Sequence, residues 1–79
     1  MNPGEWYKIF GDPEQTTYYH VLELHDDVVR VEKVVYHHVL QRILSTSRTE
    51  IPAKDWMEQE AENTIHAVLR AHVPFVMPV

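Results

Sequence analysis

The sequence predicts an α+β domain: a three- or four-stranded antiparallel sheet arranged as a meander, with one long C-terminal helix packed on one face. Two stretches indicate this fold. Residues 17–36 contain two runs rich in β-branched and aromatic side chains around His25-Asp26-Asp27, which is the pattern of a β-hairpin. Residues 52–72 repeat apolar side chains roughly every three or four positions, as an amphipathic helix does. With 79 residues, the chain has room for one small domain.

Three strands are predicted before the helix. The first covers residues 5–10 and ends at the break Gly11-Asp12-Pro13-Glu14. The second runs from about residue 17 to residue 25, Asp26-Asp27 forms the turn, and the third covers Val28 to about Tyr36. Side chains alternate between two faces along each segment, so each strand can bury one face of the sheet.

The pattern leaves the state of residues 39–44 open. As a strand they would be the fourth member of the meander after a turn at His37-His38, whereas residues 28–44 also fit a helical period. The valines of residues 28–36 favour strand, because β-branched side chains lose entropy in a helix. The absence of glycine, asparagine and proline near His37 favours helix.

The predicted helix covers residues 52–72, because proline is tolerated at its start and Pro74 ends it. Its apolar stripe is formed by Met57, Ala61, Ile65 and Val68. The domain thus divides into a lead-in at 1–4, a sheet region at 5–44, a polar connector at 45–51, the helix, and an extended tail at 73–79. The tail is apolar but contains two prolines, so we expect it to pack back on the domain or to reach a partner.

Charge and composition argue against several classes of protein. The net charge is −5, and the 7 basic residues are scattered, which disfavours direct binding to nucleic acid. No apolar run approaches the roughly 18 residues of a membrane helix, and the N-terminus does not resemble a signal peptide. The sequence contains no cysteine, so it forms neither disulfides nor thiolate metal sites. We therefore expect a cytoplasmic protein.

Neither a catalytic nor a metal site is predicted. Ser45 and Ser47 lie in the connector without a glycine pair to build an oxyanion hole, and two glycines cannot form a phosphate-binding loop. The six histidines do not share the spacings that align ligands on a helix or a strand. We expect no enzyme activity and no cofactor. A histidine-based metal-binding protein is the alternative, and a small hydrolase comes third.

The surplus of large apolar side chains on the sheet is the main functional signal. The face toward the helix is expected to carry Tyr7, Ile9, Leu22, Leu24, Val29 and Val31. The opposite face would carry Trp6, Phe10, Tyr19, Val21, Val34 and Tyr36, mixed with charged side chains. Such a mixture is typical of protein interfaces. The alternative is that the tail covers this face with Phe75 and Met77.

The helix supplies a second candidate surface. Trp56 is expected to point away from the apolar stripe, either onto Ile51 or into solvent as an anchor. Acidic side chains follow one another along the helix at Asp55, Glu58, Glu60 and Glu62. They form either a solvated face or a docking surface for a basic partner.

These patterns favour a non-enzymatic, small acidic protein-interaction domain. It would act as an adaptor or as an inhibitor of a partner protein, including a basic, nucleic-acid-binding one, and homodimerisation is an alternative use of the aromatic face. Inhibitors of this size and charge are common products of viruses and mobile elements. The predicted partner-binding residues are Trp6, Phe10, Tyr19, Tyr36, Trp56, Asp55, Glu58, Glu60 and Glu62.

Overall fold

The computed structural model describes residues 2–9 and 12–75, which form a five-stranded antiparallel sheet with one α-helix. The elements are β1 (Trp6–Ile9), β2 (Gln15–Leu24), β3 (Val28–His37), β4 (Arg42–Pro52), α1 (Ala53–Ala61) and β5 (Ile65–Val68), followed by a 3-10 helix at Arg70–His72. The strand order is β4-β3-β2-β1-β5. The predicted hairpin of β2 and β3 is confirmed. The predicted fold class is wrong, because the long C-terminal helix is replaced by a short helix and a fifth strand.

The helix ends at Ala61 because the chain turns at Asn63. Asn63 has a φ of 60°, a left-handed conformation that asparagine tolerates better than most residues. Its N–H donates to the Glu60 carbonyl at 3.1 Å, and the Thr64 N–H donates to the Gln59 carbonyl at 2.9 Å. These two bonds form a Schellman motif, which satisfies the last carbonyls of the helix. The predicted helix over residues 52–72 is therefore wrong beyond Ala61, and Ile65 belongs to a strand.

The predicted polar connector is also wrong, because residues 45–51 form the middle of β4. In the register with β3, Ser47 lies opposite Lys33 and Thr49 lies opposite Val31. The question of residues 39–44 is resolved as well: residues 38–41 form a turn, in which Gln41 has a φ of 53°, and β4 begins at Arg42. Nearly all of β4 is exposed, so it lacks the apolar alternation that identifies a half-buried strand.

Each face of the sheet carries its own core. The helix face, which packs on α1, buries Tyr7, Val21, Val29, Val31, Trp56 and Ile65. The tail face, on the other side, buries Trp6, Tyr18, Val34, Tyr36 and Val73, with Phe75 packed against them. A chain this short thus stabilises itself by covering both faces of one sheet.

The predicted sidedness of β2 is wrong. Tyr19 lies opposite Tyr7, and Val21 lies opposite Val31, which places both on the helix face. A register shift between Val21 and Glu23 then brings Leu24 opposite Val29, although Leu24 is 41% exposed. Both alternating sets of β2 contain apolar side chains, so the pattern alone did not decide which set is buried.

Burial of the tyrosines predicts weaker stability at alkaline pH. Burial raises the pKa of Tyr7, Tyr18 and Tyr19 above the ordinary value of 10.0, and for Tyr7 the carboxylates of Glu5 and Glu60 add to the rise. Between the unfolded and folded pKa values the folded state binds more protons, so the free energy of unfolding falls as pH rises. We expect the tyrosines' contribution to the free energy of unfolding to be fully retained below pH 10.0 and to decline above that pH. Urea unfolding at a series of pH values measures this. A midpoint that stays constant through the titration of the tyrosines would contradict it.

Candidate functional site

The candidate site is an open groove between α1 and the turn that joins β2 to β3. It has a volume of about 700 Å³. Its lining residues are Asp26, Asp27, Pro52, Ala53, Lys54, Met57, Glu58 and Ala61. The floor is mostly apolar, and the charged side chains lie at its rim. A groove of this size accommodates one or two side chains of a partner.

Backbone contacts fix the two walls of the groove against each other. The Ala53 N–H, at the start of α1, donates to the Asp27 carbonyl in the turn at 2.8 Å. On the inner side of the helix, Trp56 is fully buried against the sheet. Its neighbour Met57 therefore points outward and is 68% exposed. The small side chains of Ala53 and Ala61 leave the space on either side of Met57 that forms the groove.

The rim of the groove is acidic. Asp26 and Asp27 lie on the turn, Glu58 lies on the helix, and Lys54 is the one basic side chain among the described lining residues. Within residues 2–9 and 12–75, no ion pair involves the carboxylates of Asp26, Asp27 or Glu58. These three carboxylates are exposed to solvent.

Of the four acidic residues predicted to lie along the helix, three belong to α1, and Glu62 lies just after its end. Asp55, Glu58 and Glu62 are exposed, and Glu58 lines the groove. The carboxylate of Glu60 accepts a hydrogen bond from the indole N–H of Trp56. Glu60 thus satisfies the one polar group of a buried tryptophan.

The aromatic residues predicted to form an open face are buried. Trp6 and Tyr36 are each 8% exposed, and the ring of Phe75 covers them with centroid distances of 5.4 and 5.6 Å. The alternative in which the tail covers this face therefore describes Phe75, whereas Phe10 and Met77 lie outside the described residues. Tyr19 and Trp56 belong to the core of the helix face instead. The expectation that Trp56 points away from the core is wrong, and a partner role for these aromatic residues stays a prediction.

Three of the histidines have polar side-chain partners. His25 lies 3.0 Å from the Glu23 carboxylate, and His37 lies 3.7 Å from that of Glu14. His38 is hydrogen-bonded to the hydroxyl of Thr16. Within the part of the chain that the structure describes, no group of three or more potential ligands could hold a metal ion.

Comparison of the chain with protein-family models, curated proteins and solved structures finds no match. The two helices among the described residues are too short and too polar to cross a membrane. The candidate site is thus defined by its geometry alone. Sequence reasoning identified Glu58 but missed Asp26, Asp27 and Met57, because contacts between distant segments bring the two walls together, among them the bond between Ala53 and Asp27.

Proposed function

We propose that the chain is a non-enzymatic, cytoplasmic protein-interaction domain that binds a basic segment of a partner protein in the groove beside α1. The observation that carries this proposal is the combination of an exposed methionine floor with an acidic rim. The chain's net charge of −5 has the same sign as the rim, so the whole molecule attracts a cationic partner.

The lining chemistry defines the segment that would bind. An aliphatic side chain of the partner would lie against Met57, Ala53 and Ala61, where the flexible thioether adapts to its shape. Lysine or arginine side chains on either side would reach Asp26 or Asp27 on one wall and Glu58 on the other. A partner that uses such a segment to contact nucleic acid would lose that contact, which makes the domain an inhibitor. A partner whose basic segment does not contact nucleic acid would instead be recruited, and the domain would then act as an adaptor.

A labelled peptide of alternating lysine and leucine tests the groove by fluorescence anisotropy. We expect saturable binding to the native chain, and roughly tenfold or greater loss in the double variant Asp26→Lys with Glu58→Lys, because both walls then repel the peptide. Met57→Ala should weaken binding without altering the charge. The matched control reverses two carboxylates away from the groove, Asp12→Lys with Glu14→Lys, both in the connection that precedes β2.

The control separates the groove from general attraction between opposite charges. Equal losses in the two double variants would show that net charge alone binds the peptide, and would contradict the proposal. So would a native chain that shows no saturable binding at low salt. A peptide of alternating glutamate and leucine should not bind, because the rim repels it.

A further inference from the structure

The strand β4 is an open edge of the sheet. It is 11 residues long, and within the described residues only β3 pairs with it. Every residue of β4 is exposed except Ile51, which is half-buried. The opposite edge differs, because β5 has only 4 residues and is followed by the 3-10 helix.

Proteins usually protect a long edge strand, because its free N–H and C=O groups can pair with another strand. β4 has a register shift near its start and three charged side chains, but it contains no lysine, and its one proline is the last residue. We propose that β4 pairs antiparallel with β4 of a second copy of the chain, around a two-fold axis at Thr49. The result is a homodimer with one continuous sheet. Its central charged residues, Arg48 and Glu50, do not line the groove proposed above, although Pro52 at the end of β4 does.

The positions of the charged side chains on β4 indicate that Thr49 is the centre of the pairing. The regular part of β4 begins at Ser45, after a register shift against β3. A two-fold axis perpendicular to the sheet keeps each side chain on its own face, so only residues on the same face can oppose each other. An axis at Arg48 or at Glu50 places that residue against the same residue of the other copy, so like charges meet. An axis at Ser47 places Arg48 against the uncharged Thr46 of the other copy. An axis at Thr49 places Arg48 of each copy against Glu50 of the other, twice.

The same register joins two rows of charge that already cross the tail face. In one row, Arg30 donates to Glu23 at 3.1 Å and to Glu50 at 3.2 Å. In the neighbouring row, Glu32 lies opposite Arg48 in the pairing of β3 with β4. Pairing at Thr49 connects Glu50 of one copy to Arg48 of the second copy. Acidic and basic side chains then alternate without interruption from β2 of one copy to β3 of the other.

Two charge-reversed variants test this interface together. Sedimentation or light scattering of the native chain should show a mass that rises with concentration toward twice 9.3 kDa. Arg48→Glu alone and Glu50→Arg alone should each dimerise at least roughly tenfold more weakly, because their homodimers oppose like charges. An equimolar mixture of the two variants should regain the dimer, since every position then meets the opposite charge. A variant that failed to fold could not give this rescue.

The matched control is Arg42→Glu, which makes the same charge change on β4 before the paired segment and should leave the dimer unchanged. A native chain that stays monomeric up to about 1 mM would overturn the proposal. So would a dimer that is indifferent to Arg48→Glu, or a mixture of the two variants that stays monomeric. Neither Arg48 nor Glu50 lines the groove, so failure of the dimer leaves the test of peptide binding in the groove unchanged.

Discussion

Replacing Trp56 by alanine should lower the free energy of unfolding by about 3–5 kcal/mol, the range for deleting a buried aromatic side chain. Trp56 is 0% exposed. Its ring packs edge-on against Tyr7 at a centroid distance of 5.0 Å and contacts Tyr19 at 5.9 Å. It is the buried residue through which α1 is attached to the helix face. Its loss leaves a cavity between the helix and the sheet.

Urea unfolding followed by circular dichroism measures this change. A domain of 79 residues has a total stability of roughly 4–12 kcal/mol, so the variant should be marginally folded or unfolded at room temperature. Trp56→Phe should lose less, because it keeps an aromatic ring in the same space. The matched control is Met57→Ala, the next residue on the same helix, which is 68% exposed and should change stability by about 0.5 kcal/mol or less. Similar losses at positions 56 and 57 would contradict the observed orientation of the helix.

The reversed roles of Trp56 and Met57 show where sequence reasoning failed. The predicted apolar stripe was drawn for a helix of residues 52–72, and its direction depended on Ile65 and Val68. Those two residues belong to β5, so they say nothing about the face of α1. Over the 9 residues that are helical, Trp56 is the one that is buried. The signal that could have corrected the prediction was Asn63 followed by β-branched Thr64 and Ile65, which is typical of a helix end before a strand.

The strands differ in how far the sequence determines them. β2 and β3 were predictable because turn residues flank them and because they are rich in β-branched and aromatic side chains. β4 was not predictable from the sequence, because it is almost fully exposed and shows no apolar pattern. It forms a strand because its backbone pairs with β3. The groove likewise combines a feature that the local sequence predicts with one that it does not. The acidic helix could be identified from sequence, whereas its closeness to Asp26 and Asp27 depends on a contact between distant segments.

The second large effect on stability concerns Phe75, whose ring covers the tail face. Phe75→Ala should lower the free energy of unfolding by about 2–3 kcal/mol, less than for Trp56 because Phe75 is only half-buried. Its ring contacts Trp6, Tyr18 and Tyr36 at centroid distances of 5.4, 5.3 and 5.6 Å. The contacts with Trp6 and Tyr18 are edge-to-face, and such contacts contribute beyond the area they bury. Without the ring, part of the core of the tail face is exposed to water.

Two measurements distinguish this outcome from a general loss of stability. In native conditions the fluorescence of Trp6 should shift to longer wavelength, and a dye that binds exposed apolar surface should bind more strongly, while the far-ultraviolet circular dichroism stays the same. Leu69→Ala is the control, because it removes a large apolar side chain that is 69% exposed and only a few residues away. An unchanged unfolding midpoint in Phe75→Ala would show that Phe75 does not cover the face in solution. The aromatic residues Trp6 and Tyr36 would then again be available to a partner, as the sequence predicted.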